Sequence, residues 1–216
     1  MSCGYSFFVL AAGCTVPESE TDEDSESTEE AGSALSSAQK EKHKLESAEG
    51  AFTCDFDLSA GDPAQIPALI ERDRMYMAAR EGMLRKQLPI LVDPATGALS
   101  SGGRYLFDTH ADAVAYKSWI ENDFVLDGTA FLDRPLFVAP DCHAWEVIRI
   151  LEAAPVATSQ YVVRTERWSV PNANARHYLR THWHALREAA EERGLTAVWL
   201  TYNSQEDLVQ LVYFAD

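Results

Sequence analysis

The chain lacks any concentration of positive charge. It contains 34 Asp and Glu residues against 18 Lys and Arg residues, which gives a formal net charge of −16 at pH 7. Because a surface of this charge repels phosphate groups, we exclude nucleic acid and anionic lipid as the main partner. A small neutral or cationic molecule is a better candidate ligand.

Long apolar runs and several short enzyme motifs are also missing. No run approaches the roughly 20 apolar residues of a membrane-spanning helix. The sequence has no Gly-x-Ser-x-Gly elbow, no phosphate-binding glycine loop, no dinucleotide fingerprint and no Cys-x-x-Cys pair. These absences argue against hydrolases, nucleotide-dependent enzymes and structural zinc sites. We therefore expect neither a cofactor nor a metal.

Residues 1–14 form a short apolar leader that ends in small residues and Cys14. The segment resembles the end of a bacterial lipoprotein signal, in which the cysteine is lipidated, although no basic residue precedes the apolar run. Two interpretations stay open. In the first, Cys14 is a lipidation site that tethers the protein to the bacterial cell envelope. In the second, the leader is a chance apolar N-terminus on a cytoplasmic protein.

Residues 15–51 are predicted to be a disordered acidic linker. From Glu18 to Glu49 there are 11 acidic residues against three lysines, and aromatic and branched residues are scarce. Such a segment cannot bury enough apolar surface to offset the entropy of ordering, and its charge keeps it extended.

Cys54 and Cys142 lie in the first and last predicted strands of the first half. The two cysteines could pair if the protein is exported, since disulfides persist in oxidising compartments. Spacing alone does not bring their Cα atoms within reach, so the pairing stays open.

Residues 52–154 are predicted to form a first repeat of strands and helices. Residues 53–58 alternate in the manner of a strand, and apolar residues at helical spacing predict a long helix from 66 to about 86. A hairpin follows, with strands at 88–92 and 104–107 around the turn at 93–97. Residues 110–120 then form a second helix and 131–150 a broken extended segment.

Residues 155–216 repeat the start of this order and then stop. We predict a strand at 160–170, a helix at 175–193 that ends at Gly194, and a hairpin of 195–202 with 208–214. The sequence thus predicts an α+β fold in which a ferredoxin-like βαββαβ unit is followed by a shortened second repeat. Two sheets packed face to face, from one chain or from a homodimer, would cover the open sheet face.

The segment Gly-Gly-Arg-Tyr-Leu-Phe-Asp-Thr-His-Ala-Asp-Ala-Val-Ala-Tyr at 102–116 carries a family resemblance. It resembles the YdhR-type mono-oxygenases, a branch of the dimeric α/β-barrel superfamily that includes the antibiotic-biosynthesis mono-oxygenases. The resemblance covers residues 53 to about 150 and rests on a structural motif. It implies a cavity between sheet and helices for an aromatic or polyketide-like molecule, and oxygen chemistry without a metal or flavin.

The predicted helix at 175–193 suggests a catalytic base. His182 falls on its apolar stripe, and an inward histidine can exchange protons near neutral pH. His177 and His184 point elsewhere and are expected on the surface. When the two long helices are superposed by their stripes, Asp73 occupies the position of His182, so both are candidate catalytic residues. The alternatives are a core histidine bonded to backbone and an edge aspartate that reaches water.

Polar and aromatic side chains on the predicted strands suggest a substrate-binding surface. Such convergent polar groups orient a mostly apolar ligand in a cavity. The alternative is a solvent-exposed sheet face with cross-strand pairs. The candidate substrate-binding residues are Arg167, Trp199, Asn203, His143 and Trp145.

Two functions are consistent with these patterns. The first is a small-molecule enzyme, a cofactor-independent mono-oxygenase that acts on an aromatic or polyketide-like substrate. The second is a non-catalytic lipoprotein module, tethered through Cys14, that binds a small ligand or a partner protein.

Overall fold

The computed structural model describes residues 9–10, 37–58, 63–65, 68, 71–73, 76–77, 80–92, 96–135, 137–153, 160–170 and 174–215. The strands are β1 (Val9–Leu10), β2 (Gly50–Asp57), β3 (Met83–Gln87), β4 (Ile90–Val92), β5 (Leu99–Phe107), β6 (Val125–Leu126), β7 (Thr129–Ala130), β8 (Val138–Glu152), β9 (Gln160–Ser169), β10 (Ala197–Asn203) and β11 (Leu208–Ala215). The α-helices with given bounds are α1 (Ser37–Glu46), α2 (His110–Ser118) and α3 (Ala175–Glu192).

The fold is α+β, and its first repeat has ferredoxin-like strand order. Strands β3, β5, β2 and β8 are neighbours in that order, and the pairs are antiparallel. Strands β10, β11 and β9 give the corresponding order in the second repeat, which has no fourth strand after β11 in the described residues. The predicted ferredoxin-like unit with a shortened second repeat is confirmed.

One long strand joins the two repeats. The first part of β8 pairs with β2, and its last part pairs with β10. The resulting sheet curves back on itself. Several strands separate β5 from β9 in the sheet order, yet Arg104 on β5 donates hydrogen bonds to Thr165 on β9. β1 pairs with β9 and lies beside β4, which brings the two ends of the sheet together.

The alternation of each strand divides the apolar core into an inner cluster and two helix-facing clusters. Ala51, Leu106 and Trp145 point into the curved sheet, where they meet Trp199 and Phe214 of the second repeat. Their sequence neighbours face the helices instead, since successive strand residues point to opposite sides. The cluster under α2 includes Phe52, Phe107 and Ala144, and the cluster under α3 includes Ile148, Val198 and Leu211.

The segment predicted as a disordered linker contains an ordered helix, so that prediction was wrong for residues 37–51. In α1 and the turn after it, Leu45 and Ala48 are buried in the inner cluster at one end of the curved sheet. Residue 50 already begins β2. Residues 11–36, which include the rest of the predicted linker and Cys14, lie outside the described residues.

The first predicted helix was too long. Ala68, 71–73, Tyr76 and Met77 are helical, but Met83 and Leu84 belong to β3. Gly82 has a φ of +69°, a left-handed conformation that favours glycine and ends the helical path. Other boundaries differ by a few residues, as at β5, which begins at Leu99 rather than 104.

Cys54 and Cys142 form a disulfide between the paired strands β2 and β8. The structure thus resolves the pairing that the sequence left open. No described helix is long and apolar enough to cross a membrane.

Candidate functional site

A cavity lies on the helix-facing side of the first repeat, above β2 and β5. The cavity volume is about 60 Å³. One buried water needs roughly 10–15 Å³ and a cavity that encloses benzene about 150 Å³, so an aromatic ligand would fill this space and extend through its open side. Its walls are mostly apolar, and the lining residues are Phe52, Cys54, Phe56, Leu58, Asp73, Met77, Lys86, Leu88, Ser101, Gly103, Tyr105, Ile120, Phe131, Leu132 and Phe137.

Aromatic rings form much of the cavity wall. Phe52 stacks on Tyr105 with 5.7 Å between ring centroids, and Phe137 lies 4.5 Å from Phe56 and 4.9 Å from Phe131. Since rings prefer offset or edge contacts with other rings, these walls suit a flat aromatic ligand.

The glycine pair at 102–103 shapes the sheet beneath the cavity. A Cβ on Gly103 would lie 2.7 Å from the ring of Tyr105, which folds back along the strand over that glycine. A Cβ on Gly102 would lie 2.2 Å from the backbone oxygen of Cys54. The glycines therefore permit the ring position and the close approach of β2 to β5.

The predicted catalytic residue Asp73 lies in the cavity wall. It is 4% exposed, and its Oδ2 accepts a hydrogen bond from Arg134 Nη1 at 2.6 Å. Its Oδ1 accepts one from Arg72 Nε at 3.0 Å. Arg134 is buried and its guanidinium carbon lies 4.6 Å from the centroid of Phe131. The catalytic role of Asp73 stays a prediction, and the geometry gives it an ion-paired environment at the edge of the cavity.

Buried tyrosine hydroxyls add hydrogen-bond donors to this region. Burial raises the pKa of Tyr105 and that of Tyr116, which lies 5.4 Å away from it by ring centroids. Both phenols therefore stay protonated at neutral pH. They can donate hydrogen bonds, but they are poor bases.

His182 does not face inward, so its predicted position was wrong. It is exposed on α3, stacks on Tyr178 at 3.9 Å and bonds through Nδ1 to the Tyr178 backbone oxygen at 2.9 Å. The next residue, Trp183, packs toward the sheet with Leu179 and Leu186. One residue is a rotation of about 100°, which moves His182 out of the stripe. His182 therefore does not approach a cavity together with Asp73.

Three of the predicted substrate-binding residues come together inside the curved sheet. Arg167 donates to Gln210 Oε1 at 2.7 Å and to Asp141 Oδ2 at 2.6 Å, and its guanidinium carbon lies 5.6 Å from the Trp145 ring centroid. The Trp145 indole N–H donates to Thr53 Oγ1 at 2.8 Å.

His143 completes this network at its more exposed end. Its Nδ1 lies 2.6 Å from Glu206 Oε2 and its Nε2 lies 2.8 Å from Asp141 Oδ1. Although burial raises the pKa of Asp141, His143 and Arg167 outweigh it and hold that pKa below its usual value. These hydrogen bonds tie the two repeats together, while Gln210 Nε2 is buried with no partner among the described residues. None of Arg167, Trp145 and His143 lines the cavity.

Trp199 and Asn203 serve other local structures. Trp199 is fully buried, and its indole N–H donates to Glu152 Oε1 at 3.1 Å. Burial raises the pKa of Glu152, while Arg85, whose Nη1 lies 2.7 Å from Oε2, lowers it in part. Asn203 Oδ1 accepts from the backbone N–H groups of Gln205 and Glu206 and fixes the turn before β11. Neither residue is in the cavity lining.

Within the described ranges, no three His, Cys, Asp or Glu side chains are grouped closely enough to hold a metal ion. The expectation of a metal-free site stays a prediction.

The chain resembles three solved structures at low sequence identity. A candidate monooxygenase from Fusobacterium nucleatum subsp. nucleatum matches with a TM-score of 0.55 and 12% identity, over 78% of this chain and 76% of that chain. The two chains share a fold. A candidate monooxygenase from Lactobacillus acidophilus (TM-score 0.48, 14% identity, 77% of each chain) and a monooxygenase-like protein from Listeria innocua (TM-score 0.40, 12% identity, 78% and 72%) are more distant. No protein-family model matches the chain, and comparison with curated proteins gives no significant match.

Sequence reasoning missed most of the cavity. Arg134 lies in the predicted broken extended segment at 131–150, but it follows a short 3-10 turn there, and no pattern in the sequence marks it as a site residue. Tyr105 belongs to the segment at 102–116 that carries the family resemblance, and that segment was the available signal for the cavity.

Proposed function

We propose that the protein is a small-molecule enzyme of the mono-oxygenase type whose substrate, an aromatic or polyketide-like molecule, binds in the cavity of the first repeat. The observation that carries the proposal is the aromatic wall formed by Phe52, Phe56, Tyr105, Phe131 and Phe137. The fold shared with the Fusobacterium nucleatum protein agrees with this proposal.

The proposed reaction uses molecular oxygen with an electron-rich substrate that loses a proton. One oxygen atom enters the substrate carbon as a carbonyl, and the other leaves as water with the two hydrogens of that carbon. Asp73 is the candidate proton acceptor, and protonated Tyr105, which lines the cavity, can donate a hydrogen bond to the substrate anion. The dry, apolar walls would strengthen these interactions.

Oxygen consumption tests the proposal. The substrate is 1,8-dihydroxyanthrone, whose oxidation to the anthraquinone is followed by absorbance alongside an oxygen electrode. We expect turnover above the uncatalysed rate, and we expect Leu132→Trp, which fills the cavity, to abolish it. The matched control is Leu179→Trp, because Leu179 is a partly buried leucine on α3 that does not line the cavity. Equal rates in both variants would contradict the assignment of the cavity.

The second candidate is a non-catalytic module that binds the same kind of ligand. The ion pairing of Asp73 favours it, because Arg134 and Arg72 each already contact one carboxylate oxygen, an arrangement that serves binding without any proton transfer. Tight binding of an aromatic probe without oxygen uptake would select this candidate.

We also propose that the protein works in the bacterial cell envelope, tethered through Cys14. The Cys54–Cys142 disulfide supports an oxidising compartment. Incorporation of labelled palmitate that is lost in Cys14→Ser would bear this out. Processing at Cys14 would remove β1, so an intact N-terminus on the purified protein would instead favour a cytoplasmic or otherwise unprocessed form. Light scattering would show whether a homodimer forms.

A further inference from the structure

Asp73 is the single carboxylate among the described residues that line the cavity. Its side chain is 6% exposed, so water reaches it poorly. Opposite and around it the lining is made of aromatic and aliphatic groups, together with Lys86 and Ser101. A ligand with a polar edge therefore meets a hydrogen-bond acceptor at one place in an apolar chamber.

Two arginines bind this carboxylate, but its oxygens can still accept further hydrogen bonds. Arg134 Nη1 binds Oδ2 and Arg72 Nε binds Oδ1, which is one contact for each oxygen. A carboxylate offers about four acceptor positions, so both oxygens can accept a further hydrogen bond. Arg72 is 41% exposed and also contacts Asp127, whereas Arg134 is 9% exposed. Arg134 is thus the group that fixes the direction of Asp73.

A second observation concerns the other terminal nitrogen of Arg134. Its Nη2 is buried and has no hydrogen-bond partner in the part of the chain that the structure describes. The guanidinium lies against Phe131, a lining residue, at the same edge of the cavity as Asp73. Buried N–H groups are seldom left unpaired in native proteins, and a ligand oxygen at this edge of the cavity would give Nη2 a partner.

We propose that Asp73, positioned by Arg134, selects the ligand of the cavity by accepting a hydrogen bond from it. The ligand class is a flat aromatic molecule that carries an O–H or N–H donor on its edge, in preference to one that carries acceptors alone. This inference rests on the proposed function, since it assigns the ligand of the same cavity. It does not depend on turnover.

A matched pair of small molecules tests the selection. 2-Naphthol and 2-methoxynaphthalene share one ring system, and only the first has a donor. Calorimetric titration of the full chain is expected to show about tenfold tighter binding of 2-naphthol, as one charge-assisted hydrogen bond allows. In Asp73→Asn the preference is expected to fall below about threefold. Asp127→Asn is the control, because Asp127 is 74% exposed and contacts Arg72 outside the cavity.

The role of Arg134 is tested by the same ratio. Arg134→Lys keeps the positive charge but loses the planar fork that orients the carboxylate. We expect it to weaken binding of 2-naphthol while binding of 2-methoxynaphthalene stays unchanged. If Arg134 had only a structural role, Arg134→Lys would weaken the binding of both ligands.

The outcomes separate this inference from the proposed function. If neither naphthalene binds the wild-type chain, the cavity assignment fails and the inference fails with it. If both bind equally, or if Asp73→Asn keeps the preference, the cavity stands and the inference is overturned. A crystal structure with 2-naphthol decides the case even if a variant does not fold, since its hydroxyl must lie within hydrogen-bond distance of an Asp73 oxygen.

Discussion

Arg167 on β9 holds Asp55 on β2 across the inside of the curved sheet, with 2.7 Å between Arg167 Nη2 and Asp55 Oδ2. The second oxygen of Asp55 binds Arg104 on β5 at 2.6 Å. One carboxylate therefore links three strands from both repeats. Arg104 is 1% exposed and Arg167 is 20% exposed, so solvent screens these pairs only in part.

Replacing Arg167 by methionine should destabilise the fold. The substitution keeps the packing of the stem but leaves Asp55 and Asp141 without one cation each, which costs about 2–3 kcal/mol in a partly buried site. Urea unfolding measures the change. The control is Arg164→Met, whose pair with Glu166 is more exposed and should contribute less than about 1 kcal/mol. Equal losses in the two variants would contradict the prediction.

Alanine at the two glycines of β5 should give unequal effects. In Gly103→Ala the added Cβ meets the ring of Tyr105, a side chain that can move at a cost of about 1–3 kcal/mol. In Gly102→Ala the Cβ meets the backbone of β2 at Cys54, which cannot rotate away. We expect Gly102→Ala to be the more destabilised in thermal unfolding, and the reverse order would be inconsistent with the structure.

Removal of the Cys54–Cys142 disulfide should lower stability by about 4–5 kcal/mol. The cysteines are 88 residues apart, and the estimate follows from the entropy that a crosslink of this length removes from the unfolded chain. Urea unfolding with and without a reducing agent gives the difference. The double variant Cys54→Ala, Cys142→Ala serves as the control, because its unfolding should not respond to the reducing agent.

The contribution of Asp141 to the free energy of unfolding should depend on pH. Its pKa lies below the ordinary value of 3.8 in the folded chain, so its contribution is present above that value and is lost as the pH falls through the folded pKa. The stability difference between wild type and Asp141→Asn should therefore be largest near pH 5 and shrink toward pH 3. A constant difference between wild type and Asp141→Asn across this pH range would refute the assignment.

Leu45→Ala should destabilise the whole fold, although the residue lies in a segment with the composition of a linker. Leu45 is 3% exposed in the inner cluster, and truncating a buried leucine costs about 2–5 kcal/mol. Lys42→Ala on the exposed side of α1 is the matched control. Thermal unfolding of the two variants distinguishes a packed helix from a linker.

The order of elements could be predicted from the sequence, because alternation at 53–58 and helical spacing at 175–193 are strong local signals. The phase of α3 could not, since Trp183 and His182 both fit near the apolar stripe and packing decides between them. The charged composition of α1 also gave no indication that the helix packs on the core. Leu45 in α1 and Ala48 in the turn after it are buried in the inner cluster and hold the helix in place.

The pairing of Asp73 with Arg134 at the edge of the cavity could not be predicted from the sequence for a different reason. Asp73 and Arg134 are 61 residues apart, and only tertiary packing places their side chains in contact. The network around Arg167 was predicted in part, since strand alternation placed His143 and Trp145 on one face and Arg167 was a separate candidate for the same substrate-binding surface. Its hydrogen bonding, however, depends on the register of β2, β8 and β11.

The 15-residue strand β8 has a consequence for how the chain loses its structure. One end of β8 pairs with β2 and the other with β10, so its two ends belong to different repeats. Neither repeat can therefore unfold without breaking backbone hydrogen bonds of the other. The protein should therefore unfold as one cooperative unit with coincident transitions by different probes, despite the internal duplication. A fragment cut after residue 153 would carry half a strand with no neighbour, and would expose an aggregation-prone edge.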